Sequence, residues 1–125
     1  MSLTVLVVED NELSREALVR RLTRAGYSVL EAENGEIGVE LTVRENPDII
    51  LMDLDLPVMD GWQALKALRQ LDSSWKIPVI ALTAHAMVGD RERVMAAGFN
   101  EYDTKPVEFA RLREKMERLL SQYAD

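Results

Sequence analysis

Apolar residues in this chain fall in short unbroken runs separated by amphipathic stretches, and the alternation repeats five times. Thr4–Val8, Asp48–Asp53 and Pro78–Leu82 are almost wholly apolar, the pattern of strands buried on both faces. Ser28–Ala32 and Asn100–Thr104 are shorter of apolar residues and suit the edges of a sheet. Between the runs, apolar residues recur at helical spacing. The spacing predicts a helix over 12–25 with Leu13, Ala17, Leu18 and Leu22 on one face, and a second over 36–45 with Ile37, Leu41 and Val43 or Arg44 at its inner edge. It predicts a third over 61–71 carrying Trp62, Leu65 and Leu68, a fourth over 87–97, and a fifth over 108–122 carrying Phe109, Leu112, Met116 and Leu119. Asn11 suits the N-cap of the first helix and Gly26 its terminator. Strand–helix alternation of this kind predicts an α/β fold: a doubly wound, five-stranded parallel sheet with five helices, forming one domain over 1–125. The three apolar strands belong in the centre, which gives the order 2-1-3-4-5.

In such a sheet every strand delivers its last residue to the same rim. That rim holds Glu9 and Asp10 after the first strand, Asp53 after the third, Thr83 after the fourth and Lys105 after the fifth. Carboxylates this close raise one another's pKa unless a cation neutralises them. An all-oxygen set suits a hard ion, Mg2+ more than Ca2+, because few protein ligands leave room for water and phosphate. Asp53, between a metal and the Lys105 ammonium, is placed as a nucleophile toward phosphorus, forming an acyl phosphate. Phosphoryl transfer needs mainly positioning and charge neutralisation, to which the Thr83 hydroxyl would add. Singly, each residue has a plainer explanation: solvated loop acids, a surface lysine, a capping threonine. Their joint placement on one rim is harder to explain that way.

Composition narrows the partners. A net charge of -7 opposes direct binding of nucleic acid. The absence of cysteine excludes a disulfide frame and a thiolate metal site, and the single histidine, His85, excludes a multi-histidine centre within one chain. No secretory signal and no run long enough to span a membrane are visible, so the expectation is a cytoplasmic domain without a membrane partner.

The rim residues lie in stretches that closely resemble the receiver domain of two-component response regulators, a CheY-like family. These are Val8-Glu9-Asp10-Asn11, the run from Leu51 through Asp53 and Pro57 to Asp60-Gly61, Ala81-Leu82-Thr83-Ala84, and Lys105-Pro106. They occur in family order and spacing over nearly the whole chain. The resemblance implies a phosphorylation-dependent signalling switch, a phosphoacceptor rather than an enzyme, which assists its own phosphorylation and dephosphorylation. It implies that Asp53 accepts a phosphoryl group from a histidine kinase or histidine phosphotransfer protein. Glu9, Asp10, Asp53 and the backbone carbonyl of Asp55 would bind Mg2+, Thr83 would sense the phosphate, and Lys105 would be its counter-charge, joined to Pro106 by a cis peptide. The family's switch aromatic falls on Tyr102. Its inward turn would reshape the face made by the fourth helix, fifth strand and fifth helix, through which a downstream protein is bound.

Leu56 stands where the family often has Met, a volume-conserving change. Asp55 and His85 lie two residues beyond Asp53 and Thr83, at positions that in this family tune phosphoryl lifetime. We read them as contacting each other or the attacking water. Three alternatives were weighed. Asp53-Leu54-Asp55 superficially resembles the Asp-x-Asp of haloacid-dehalogenase-like phosphatases, but it follows the third strand instead of the first and precedes Leu56-Pro57 where a hydroxyl residue is normal. An FMN-binding, flavodoxin-like protein needs a phosphate cradle after its first strand, and Glu9-Asp10-Asn11-Glu12 is acidic there. A phosphate-independent interaction module of the same fold usually lacks part of the acidic set, which is complete here. No output domain follows Asp125 in the sequence, so the chain reads either as a stand-alone regulator or as a receiver cut from a longer protein.

Overall fold

The computed structural model describes residues 2–71, 76–84 and 89–123. Strands β1 (Thr4–Val8), β2 (Ser28–Ala32), β3 (Ile49–Asp53), β4 (Val79–Thr83) and β5 (Glu101–Thr104) alternate with helices α1 (Glu12–Arg24), α2 (Gly35–Glu45), α3 (Gly61–Arg69), α4 (Asp90–Ala97) and α5 (Phe109–Tyr123). All strand pairs are parallel and the sheet order is β2-β1-β3-β4-β5, as the strand polarity implied. The fourth helix is described from Asp90; Met87 and Val88, where the periodicity starts it, lie outside the described residues. No described helix is long and apolar enough to cross a membrane.

Alternation along each strand feeds two separate cores. Val5, Val7, Ile49, Leu51, Ile80 and Leu82 pack with Leu18 and Leu22 of α1 and with Leu112, Met116 and Leu119 of α5. Leu6, Val8, Ile50, Met52, Val79 and Ala81 pack on the opposite face with Ala64, Leu65 and Leu68 of α3, Val94 of α4 and Phe99. Truncating any one of these fully buried large side chains to Ala costs about 2–5 kcal/mol. Helix entry follows the expected chemistry. Asn11 Oδ1 accepts from Ser14 N at 2.9 Å, Asn34 Oδ1 from Ile37 N at 2.9 Å, and Asp60 and Gln63 form a reciprocal capping box on α3.

The inward faces of two helices differ from the expectation. Leu13 is 78% exposed and Ala17 is also exposed, so α1 packs through Leu18 and Leu22 alone among the four apolar residues assigned to its inner face. In α2 the deepest positions are Gly35, Gly38 and Thr42, while Val43 and Arg44 face solvent. Small residues win there because α2 lies close to the sheet: a Cβ on Gly38 would meet both methyls of Val8 within 3.3 Å. Thr42 hides its hydroxyl by donating to Gly38 O at 2.8 Å.

Candidate phosphoacceptor site

Register and pleat deliver the rim residues to one place. Val8 pairs with Met52, so the next residues, Glu9 and Asp53, are neighbours; Thr83 pairs with Thr104, so Lys105 follows directly. Glu9, Asp53 and Lys105 continue the parity of strand residues facing α1 and α5, whereas Thr83 and Tyr102 share the opposite parity, facing α3 and α4. The side chains therefore separate into two groups across one sheet edge.

On the first side, the Lys105 ammonium donates to Glu9 Oε1 and, at 2.8 Å, to Asp53 Oδ2. Both carboxyls are buried, at 4% and 3% exposure. Asp53 Oδ1 accepts from Asp55 N at 3.0 Å, and Glu9 Oε2 from Asn11 N at 3.1 Å. Burial pushes the Glu9 carboxyl above the usual range, against the opposing bonds from Lys105 and Asn11. Burial by itself would lower Lys105, but its bonds to Asp53 and Glu9 outweigh that and hold the ammonium above the ordinary lysine value. Asp10 is exposed at the mouth. One carboxylate oxygen from each of Glu9, Asp10 and Asp53 lies within 4.8 Å of the other two. Three converging oxygens with one ammonium leave negative charge in excess, a donor set that fits a small hard divalent cation.

Close packing fixes the loop that carries Asp53. A Cβ on Gly61 would stand 2.5 Å from Asp53 O and 2.8 Å from Leu54 Cα, so the start of α3 abuts the end of β3 only because residue 61 is glycine. Leu54 N donates to Leu82 O at 3.0 Å, and Lys105 N to Thr83 O at 2.8 Å, which ties both loops to β4. The Lys105–Pro106 peptide is cis.

A profile of the response regulator receiver domain matches residues 5–117. This chain belongs to the response regulator receiver family. It is 38% identical over 120 residues to the polar-differentiation response regulator DivK of Brucella anthropi, covering 96% of this chain and 98% of that protein. Among solved structures, it is 36% identical to the receiver domain of the sensor histidine kinase PA1611 from Pseudomonas aeruginosa PAO1, with a TM-score of 0.89 over 97% of this chain and 99% of that one. That structure has a magnesium ion coordinated in its active-site cleft. A receiver domain of a signal transduction histidine kinase from Syntrophus aciditrophicus is similar too, at 31% identity and a TM-score of 0.88, covering 97% of this chain and 92% of that one. Membership places the chain in two-component signalling, whose receivers are phosphorylation switches and generally not enzymes.

The second side of this receiver is a cavity of about 180 Å3 between Thr83 and the half-buried Tyr102. Leu54, Asp55, Trp62, Asp90, Arg93 and Val94 complete its walls. Trp62 meets Phe99 edge-on, with ring centroids 5.6 Å apart, and the Arg93 guanidinium lies 5.8 Å from the Trp62 ring. The sequence pattern assigned Trp62 only to an apolar stripe and did not single out Arg93. Asp55 is exposed beside this cavity; His85 lies outside the described residues.

The fifth strand holds what sequence reasoning missed. Glu101 and Asp103, which the sequence pattern left as unremarked parts of a polar edge strand, are 6% and 3% exposed. Arg91 of α4 and Arg118 of α5 each donate to Glu101 at 2.8 Å. Arg111 donates to Asp103 Oδ1 at 2.8 Å, Lys115 lies 3.7 Å from Asp103 Oδ2, and its ammonium also donates to Tyr102 O at 2.7 Å. Burial pushes Glu101 up, but the bonds from Arg91 and from Tyr102 N–H outweigh it and hold the carboxyl below the usual range. A signal existed: Glu101 and Asp103 share one strand face, while Arg111, Lys115 and Arg118 share one helix face at i, i+4 and i+7.

Proposed function

We propose that this receiver takes a phosphoryl group on Asp53 from the phosphohistidine of a histidine kinase or histidine phosphotransfer protein, in the cytoplasm. An Asp53 carboxylate oxygen forms the new O–P bond as the N–P bond to the donor imidazole breaks, and the histidine leaves as the free base. The observation carrying this reading is the buried Asp53 carboxylate held 2.8 Å from the Lys105 ammonium beside the Glu9–Asp10 pair. Lys105 is positioned to move from carboxylate to phosphoryl oxygen, and Thr83 to donate its hydroxyl to the same group. Glu9, Asp10, Asp53 and the backbone carbonyl of Asp55 would hold Mg2+. When bound, the ion neutralises charge on the phosphoryl oxygens. Through these groups the domain assists its own phosphorylation and dephosphorylation, with Asp55 and His85 as the residues that tune phosphoryl lifetime. Drawing Thr83 toward the phosphate frees the space that Tyr102 turns into, and the face of α4, β5 and α5 changes for a downstream protein.

Intact mass after incubation with acetyl phosphate and Mg2+ tests the proposal. The expected result is one hydroxylamine-labile phosphoryl group, absent with EDTA and absent in Asp53→Asn. Labelling that survives in Asp53→Asn would refute the assignment of the acceptor. If neither acetyl phosphate nor a phosphohistidine donor labels the protein, the phosphate-independent interaction module is the correct reading.

A further inference from the structure

No side chain between Glu9 and Leu18 is buried, so apolar packing does not fix the loop from β1 into α1. Hydrogen bonds fix it instead. Glu9 N donates to Ala32 O of β2 at 3.0 Å, Asn11 N to Glu9 Oε2 at 3.1 Å, and Ser14 N to Asn11 Oδ1 at 2.9 Å. A side chain supplies a further bond. Arg15, in the first turn of α1, reaches back so that its Nη1 donates to Glu9 O at 2.8 Å, while its Nε donates to Glu31 Oε1 of β2 at 3.2 Å. Its side chain is 16% exposed, against 47% for Glu31, which sets the contact apart from an open surface pair. A guanidinium that served Glu31 alone would fork onto both of its oxygens. Arg15 is divided between Glu31 and a backbone carbonyl, and that carbonyl belongs to the peptide joining Glu9 to Asp10. The orientation of a planar peptide sets where its two flanking side chains point. Both backbone groups of Glu9 are thereby tied to β2, the N–H through Ala32 O and the C=O through Arg15 and Glu31.

We propose that Arg15 is a positioning residue for the cation site, a strut from β2 to the Glu9–Asp10 peptide that aims both acids at the ion. The inference rests on the Mg2+ reading given above and adds to it a residue outside the donor set. The bonds of Arg15 go to Glu9 O and Glu31, not to Asp53 or Lys105, so the reacting carboxylate is left alone. The sign of the effect separates a strut from a bystander charge. Arg15 brings positive charge toward a cation site, so by charge alone its removal tightens Mg2+. As a strut, its removal loosens Mg2+, because the two acids lose their common orientation.

Mg2+ is titrated into isotopically labelled parent, Arg15→Met, Glu31→Gln and the double variant while backbone amide shifts are followed. Kd is expected to rise about tenfold in Arg15→Met, the low end for a group that orients a metal ligand from outside, and about threefold in Glu31→Gln. The double variant should match Arg15→Met, because a strut cut at one end loses nothing more when cut at the other. Acetyl phosphate labelling at saturating Mg2+ should run at the parent rate in all three, with only the Mg2+ requirement raised. Metal-free spectra as dispersed as the parent's show that the variants are folded, and Glu31→Gln, which keeps Arg15, carries the test if Arg15→Met unfolds. An equal or lower Kd in Arg15→Met overturns the proposal. So does a double-variant effect equal to the sum of the single ones, or labelling that stays slow at saturating Mg2+. A parent that neither binds Mg2+ nor is labelled would instead sink the cation-site reading, and this inference with it.

Discussion

Replacing Asp10 by Asn should stabilise the metal-free protein and at the same time remove its response to Mg2+. Asp10 presents an oxygen within 4.8 Å of both Glu9 and Asp53, and Lys105 neutralises only one of those two charges. Asp10 therefore faces roughly one uncompensated negative charge. At that separation the repulsion is about 0.9 kcal/mol in water and about 3.5 kcal/mol at an effective dielectric near 20. Asp10 is exposed, which puts the value toward the lower end. Its position just ahead of the Asn11 cap opposes the change, since a carboxylate near a helix N-terminus is worth about 0.3–1 kcal/mol. The repulsion wins by about 0.5 kcal/mol, equivalent to a rise of about 2 °C in Tm for a domain of this size. Parent protein at a Mg2+ concentration of about ten times Kd gains about 1.4 kcal/mol by mass action, and the variant gains little, so the gap closes or inverts. Thermal unfolding of both proteins in EDTA and in Mg2+ reads all four values. A lower Tm for the variant in EDTA would refute the repulsion, and an equal Mg2+ gain would remove Asp10 from the ion's ligands.

Other consequences follow from single contacts. Gly61→Ala forces a Cβ against Asp53 O and Leu54 Cα, and should cost more than about 2 kcal/mol in urea unfolding, with a parallel loss of acetyl phosphate labelling; a cost below half of that would mean the loop gives way freely. Val58 is a β-branched residue at φ 66°, 78% exposed, so Val58→Gly should stabilise by about 1 kcal/mol in the same assay, and destabilisation would refute the strain. Glu101 has a folded pKa below its ordinary 4.5, so its contribution is complete above that value and is lost as pH falls through the lower folded value. Glu101→Gln should therefore cost about 1–2 kcal/mol at pH 7 and progressively less below pH 4.5, whereas a pH-independent cost would contradict the ion pairing.

The sequence made the sheet order legible because the central strands are apolar on both faces and the edges are not, a difference written directly into composition. The rim was legible for a related reason: in a parallel sheet, the last residue of each strand has a known destination, so Glu9, Asp53, Thr83 and Lys105 could be placed before any distance was known. Burial of individual helix residues was less legible. Leu13 fits the apolar periodicity of α1 but belongs to its first turn and is exposed. The burial of Glu101 and Asp103 was not legible, because a residue's polarity says nothing of whether cations on other helices reach it. Pair recognition across β5 and α5 requires the helix phase, and that phase follows from Leu112, Met116 and Leu119 facing the core.

The fifth strand has a residue in each half of the proposed switch. Lys105 follows it toward α1 and α5, while Tyr102, three positions earlier, faces the Thr83 cavity. The strand is also tied to both flanking helices, through Arg91 on one and Arg111, Lys115 and Arg118 on the other. These pairs do not resist movement strongly. The arginine partners of Glu101 are 58% and 52% exposed, and pairs so open to water are worth about 0–1 kcal/mol each. A phosphoryl group on Asp53 would offer charge-assisted bonds of about 1.5–3 kcal/mol each to Lys105 and Thr83, but Lys105 already donates to Asp53 and Glu9, so only the excess over its present bonds would bias the switch. Inverting a two-state population from 1:99 to 99:1 takes a differential of about 5.5 kcal/mol, more than one new bond of this kind supplies. On the proposed switch, β5 would move with its basic partners re-pairing around it, and the lattice holding the unphosphorylated face together would carry the displacement to α4 and α5.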